Sequence, residues 1–314
     1  MNLLNQILNT AFLYSAIRVT IPILLPAIAA YVTNKAGVPN IGLEGIMLTA
    51  SFFAVIGSAF TSSIIMGVII AVISGVVMAS ILAFFTLKLK TDVILGGIAL
   101  NLFSSNLTVF LLYLITGDKG TSASLASKVV PNVQIPIIKD IPFLGEVISN
   151  QNALVYFSIL LVIIVYIILN KTKLGRHIMA VGENEEAARS VGIKVNKIRF
   201  IAFIISGILC GIAGAFLSMG YVSWFSRDMT AGRGWIALAA EAMGMGSMVG
   251  TTLSSILFGV SSALSNIAQF FGIPTELVSI IPNVITVVAL LLYSIKLYNN
   301  KKVKVSNTWL EIEN

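Results

Sequence analysis

Two carboxylates stand where a membrane-sized run of apolar residues would otherwise be unbroken: Glu44, in NIGLEGIMLTASFF, and Glu241, in GWIALAAEAMG. A charged group at mid-bilayer costs about 3 kcal/mol or more unless it faces protein or water. Asn40 and Asn101 lie in similar runs, and Asn106, Asn266, Gln269 and Asn283 add further amides. An amide donates and accepts at once, so it can meet a sugar hydroxyl, a nucleobase edge or a neighbouring helix equally well. One reading makes Asn40, Glu44, Asn101 and Glu241 the lining of a polar pathway. The other makes them interhelical hydrogen bonds worth about 0.6–2 kcal/mol each. The stretch GVPNIGLEG at 37–45 is too broken for a continuous helix. Irregular backbone at that depth is tolerated only against protein or a water-filled cavity, which places a bent entry beside such a path.

Other chemistry is missing. His177 is the one histidine and Cys210 the one cysteine, so no zinc or haem cluster and no internal disulfide can form. There is no phosphate-binding GxxxxGK[ST] loop, no potassium-filter motif and no serine–histidine–aspartate arrangement. We expect no catalytic residue, no metal and no cofactor.

The elements that must position these residues follow from composition. The 314 residues are 57% hydrophobic and 11% charged. A soluble domain carries about 25% charged residues, so this chain cannot cover a water-facing surface. The reading is an all-α, polytopic membrane domain over 1–314. A crossing needs about 20 apolar residues. Candidate spans lie near 11–33, 41–60, 63–87, 91–116, 153–170, 200–220, 234–250, 252–271 and 276–297, giving about nine, within a range of 8–10. Arg18, Pro22 and Pro26 make the first either a kinked span or an interfacial piece before a short one. The N-terminus has no basic leader region and is expected to be retained.

The net charge of +7 fits Lys and Arg collected in cytoplasmic loops rather than nucleic-acid binding. Segment 171–199 holds seven basic residues, and the C-terminal end holds Lys296, Lys301, Lys302 and Lys304. Both regions, including the C-terminus, are expected in the cytoplasm. The polar stretch 117–152, with Pro131, Pro136 and Pro142, and the loop from Trp224 to Arg233 then fall outside. The 117–152 stretch is either a docking site or a solvated loop.

Within 171–199, GENEEAARSVG predicts a short helix. Asn184 is the N-cap, Glu185 and Glu186 sit at the positive end, Ala187 and Ala188 favour helix, and Gly192 ends it. About two turns are marginal alone in water. The helix needs a partner surface, either a cytoplasmic subunit or its own spans.

Taken together, GVPNIGLEGIMLTASF, TDVILGGIALNLF, IPIIKDIPFLGEVI, LGRHIMAVGENEEAARSVGIKVNKIRF and GRGWIALAAEAMG resemble permease subunits of binding-protein-dependent ABC importers, over about residues 20–297. The branch includes ribose, branched-chain amino acid and nucleoside permeases, and NIGLEG with the IPFLG segment points most closely to the nucleoside, simple-sugar-like group. The resemblance implies a cell-membrane, multi-pass, non-enzymatic subunit. It implies ABC ATPase partners, a second and longer permease in a heterodimer, and an extracytoplasmic binding lipoprotein delivering a small solute at the 117–152 face. It also implies a coupling helix in contact with the ATPase at Glu183, Asn184, Glu185, Glu186, Ala187, Ala188, Arg189 and Gly192. Glu241 is read from its own chemistry, since relatives more often carry an apolar residue there. The alternatives are a sugar or branched-chain amino acid ABC permease, or an ion-coupled secondary transporter exchanging protons at Glu44 and Glu241.

Overall fold

The computed structural model describes residues 9–136 and 144–270, with positions 284, 288 and 291 beyond them. Helices follow one another along the chain: α1 Thr10–Lys35, α2 Leu43–Thr61, α3 Ile64–Lys88, α4 Val93–Thr116, a short α5 Leu144–Ile148 and α6 Ala153–Lys171. Then come α7 Lys173–Glu183, α8 Glu185–Ser190, α9 Val195–Tyr221, α10 Arg233–Met243 and α11 Met248–Phe270. Among the described residues, α1, α2, α3, α4, α6, α9 and α11 are long and apolar enough to cross a bilayer. The expected span 276–297, Asn283, the side chain of Gln269, and the basic residues of the C-terminal end lie outside the described residues.

The apolar windows of α1, α2 and α9 are 67%, 72% and 72% buried, against 33%, 22% and 28% in α3, α4 and α6. The first three therefore form the centre, and the others turn apolar side chains outward, as a lipid solvent permits. Helix α9 reaches its neighbours through glycines. A Cβ on Gly207 would lie 2.8 Å from the Val76 Cα of α3, and one on Gly211 would lie 2.8 Å from the Val72 Cα. Gly214 faces Ala50 of α2. Small residues at these positions let backbones touch where no aqueous hydrophobic force drives helices together.

The first span is one continuous helix despite Pro22 and Pro26. Each proline deletes one backbone bond. Both are buried, and the packing around them holds the helix together. The expected span 234–250 is different: α10 has 11 residues and is about 16 Å long. It stops at Gly244 because Met245 and Gly246 take left-handed backbone, with φ of 56° and 66°. Non-helical residues 222–232 precede it.

The described parts of the 117–152 stretch are hydrogen-bonded to the bundle. The Ser122 N–H donates to the Phe225 carbonyl at 2.9 Å, the Arg227 N–H to Gly120 at 2.8 Å and the Val130 N–H to Met219 at 2.8 Å. Phe225 is fully buried and packs edge-on against Phe52 of α2. Further along, β1 (Asn132–Val133) and β2 (Gln151–Asn152) pair antiparallel, with Asn132 opposite Asn152 and Val133 opposite Gln151.

Candidate functional site

Two regions gather the candidate residues. The first is the elbow between α6 and α9. Thr172 caps α7, which buries Gly175, Ile178 and Val181 on one face. The Asn184 side chain accepts from the Ala187 N–H at 2.9 Å and starts α8. Gly192, at φ 83°, ends it, and its N–H bonds the Arg189 carbonyl at 3.0 Å. Glu185 accepts from Arg189 at 2.6 Å and from Arg199 at 2.9 Å. The Arg189 hydrogen bond, helped by the charge of Arg199, holds the Glu185 carboxyl below the usual carboxylate range. Arg199 also donates to the Ala36 carbonyl at 3.2 Å, which ties α8 to the end of α1.

Of the eight expected coupling residues, Glu183, Asn184, Glu186, Ala187, Arg189 and Gly192 are exposed, and Glu185 is partly covered. Ala188 is 3% exposed and packs into the protein's own core. Helix α7 was not visible as a separate element in sequence, although its apolar residues Leu174, Ile178 and Val181 sit at helical spacing. Its last turn rests on α1. A Cβ on Gly182 would meet the Lys35 carbonyl and lie 3.0 Å from the Gly37 nitrogen.

The second region is a junction near mid-bundle. The broken segment after α1 is pinned by amides. Asn40 is fully buried, donates to Ser206 of α9 at 2.9 Å and accepts from the Gly42 N–H at 2.9 Å. Asn101 of α4 accepts from the Gly45 N–H at 2.8 Å and donates to the Ile41 carbonyl at 3.0 Å. These amides satisfy backbone groups that no helix satisfies, which is how a broken chain survives away from water. Glu44 then reaches across to α10, accepting from the Gly232 N–H at 2.8 Å and the Gly234 N–H at 2.5 Å. A helix N-terminus offers unpaired N–H groups and partial positive charge, and a carboxylate answers both.

The structure therefore brings Asn40, Glu44 and Asn101 together around residues 40–45 and places Glu241 elsewhere. Gly234 and Glu241 are about 10 Å apart along α10. Glu241 is 8% exposed and accepts from the Asn34 amide at 2.8 Å. Both line a cavity of about 440 Å³ with Lys35, Met179, Gly182, Glu183 and Gly246. That cavity joins the ends of α1, α7 and α10.

Asp228 was not singled out in sequence, where it belongs to the loop expected outside. Its carboxylate accepts from Ser105 at 2.6 Å, and Ser105 lies about halfway along α4. The exposed amide of Asn106 is its neighbour in sequence. The signal in sequence was the pair Ser105-Asn106 within an apolar span, which has no meaning until the 222–232 segment folds back onto it. Among the described residues, no group of three or more His, Cys, Asp or Glu side chains could hold a metal.

The family model described as "Branched-chain amino acid transport system / permease component" matches residues 12–290. The nucleoside ABC transporter permease protein NupC of Lactococcus lactis subsp. cremoris is 30% identical over 93% of this chain and 93% of its own length. The guanosine ABC transporter permease protein NupQ of Bacillus subtilis is 30% identical over 92% of each chain. A Haloferax volcanii protein named as a putative glucose ABC transporter permease is 30% identical over 81% of this chain and 76% of its own. A chain of the solved PsaBC from Streptococcus pneumoniae, in complex with Fab, shares the fold with a TM-score of 0.55 at 13% identity, over 91% of this chain and 93% of that one. With a bundle of membrane-length helices and a family match over nearly its whole length, the chain belongs to the branched-chain amino acid transport system permease family and is a permease subunit of an ABC transporter.

Proposed function

We propose that the protein is a nucleoside-importing permease subunit, driven by ATP hydrolysis in partner subunits that grip residues 183–192. The names of the two bacterial relatives support this cargo. The observation that carries the coupling role is the exposed face of α8, with Glu186, Ala187 and Arg189 turned outward while Ala188 and the Arg199–Glu185 pair fasten the helix to the protein. A helix so short has meaning as a handle only if its base is fixed. Here the base is fixed to α1 and α9.

In this reading a second, longer permease completes the pathway, and an extracytoplasmic lipoprotein delivers the solute. The two elbows approach each other when the ATPases close, and the bundle exchanges access between the two sides. The C-terminus lies in the cytoplasm. Asn40, Glu44, Asn101 and Glu241 shape the pathway by holding the broken segments and α10 in place.

A sugar cargo is the second reading, favoured by the name of the Haloferax relative. Co-reconstitution in liposomes with the second permease, the ATPase and the delivery protein tests both. The proposal expects ATP-dependent uptake of labelled guanosine or adenosine that excess glucose does not compete away. Uptake driven by a proton gradient without ATPase subunits would contradict it.

A further inference from the structure

Helix α10 is bracketed by left-handed backbone. Ala231 and Gly232 precede it at φ 47° and 79°, and Met245 and Gly246 follow it at 56° and 66°. Left-handed backbone strains a residue that carries a Cβ, so Ala231 and Met245 mark places where the chain is held against its preference. Between these two points lies a rod of 11 residues.

Its middle packs on α1 and α11 through the buried Ala237 and Ala240, and each end also meets one acid. Glu44 holds the first end through the N–H groups of Gly232 and Gly234. Glu241 holds the other through the Asn34 amide. The two holds differ in stiffness. Glu44 projects from a segment fixed by Asn40 on Ser206 and by Asn101 on Gly45 and Ile41. The Asn34 contact instead borders the 440 Å³ cavity beside α7. The fit at the Glu44 end is close: a Cβ on Gly234 would lie 2.6 Å from the Glu44 nitrogen.

We infer that α10 is a gate and that Glu44 is the positioning residue that latches it: the bidentate Glu44 contact holds the rod's N-terminus at mid-bundle, and movement of α7 releases its far end into the cavity. The inference rests on the permease reading and names the moving part within it. Charge alone does not make the latch. Two acceptor oxygens must meet two N–H groups, so Glu44→Gln, which replaces one oxygen with a donor, opposes one N–H with another.

The test uses the complete transporter in proteoliposomes, with ATPase and delivery subunits present. Ala242, exposed on α10, is changed to Ala242→Cys; the native Cys210 is fully buried and does not compete. The labelling rate by a maleimide is read without nucleotide and with ATP plus vanadate. With Glu44 intact, nucleotide shifts the population of the gate and the two rates should differ by about threefold or more. In Glu44→Gln the two rates should converge. Should that variant fail to assemble with the ATPase, Glu44→Asp, whose shorter arm reaches one N–H, is read by the same criterion. A parental rate that ignores nucleotide, or a variant that keeps the parental difference, overturns the inference. Solute uptake by the parental vesicles is measured alongside, so a rigid α10 in a working importer is told apart from a chain that does not import.

Discussion

Two glycines of the elbow, ten residues apart in sequence, should respond to alanine for different reasons and with different effects on coupling. At Gly182 the backbone is unstrained but there is no room. The new methyl would fall on the Lys35 carbonyl, 2.8 Å from its carbon and 3.0 Å from the Gly37 nitrogen. These obstacles are backbone and cannot rotate aside, so α7 must separate from α1. Overpacking of this kind costs about 1–3 kcal/mol. At Gly192 nothing among the described residues lies within 4 Å, but φ is 83°. Alanine there costs about 1–2 kcal/mol of backbone strain and displaces no neighbour.

Both variants should melt earlier in detergent. Gly182→Ala should uncouple the machine more strongly, because it loosens the seat of α7 on α1 through which the proposed coupling passes. If 1–3 kcal/mol falls on the coupling equilibrium, uptake per ATP hydrolysed should drop about 5- to 150-fold. Gly192→Ala, which leaves the seat of α7 on α1 intact, should lower that ratio less than Gly182→Ala does. The assay is solute uptake and phosphate release from the same vesicles. Equal ratios in the two variants, or parental uptake in Gly182→Ala, would refute the claim that α7 is seated on α1 for transmission.

Other expectations follow from the same geometry. Asn101→Ala leaves the Gly45 N–H and the Ile41 carbonyl without their partners. At up to about 1–3 kcal/mol for each half-buried orphan, this should lower the melting temperature more than Asn106→Ala, whose exposed amide serves its own helix. Glu186→Lys should abolish uptake with membrane insertion intact, and normal uptake would remove Glu186 from the ATPase contact. The Glu185 pairs should give the melting temperature a pH dependence. Its folded pKa is depressed, so its contribution is fully present above the ordinary value of 4.5 and is lost as pH falls through the lower folded value. Glu185→Gln should flatten that decline, and an unchanged pH profile would mean the pairs with Arg189 and Arg199 are not stabilising.

The sequence made the membrane-length helices legible because twenty apolar residues have few other homes. Asn184, the double glutamate and Gly192 announced α8, since caps act within one turn and need no distant partner. The junction was less readable. Asn40, Glu44 and Asn101 stood out as polar residues in apolar runs, but their partners lie far along the chain: Ser206 for Asn40, Gly232 and Gly234 for Glu44. Hydropathy also joined α10 to the start of α11 as one span, because Gly244-Met245-Gly246 is apolar enough to pass for helix. The left-handed turn there is a backbone fact that hydropathy does not record. Ser105 and Asp228 were invisible as a pair for the same reason, since they meet only after the 222–232 segment turns inward.

The coupling role proposed for the 183–192 elbow makes it the handle by which an ATPase would move this permease. Val191, 75% exposed beside that handle, is the place to test it, by site-specific photo-cross-linking in native membranes. The account predicts a single major adduct containing an ATP-binding subunit, whose yield changes when ATP and vanadate are added. Adducts only to lipid or to the chain itself, in membranes that still import solute, would contradict it.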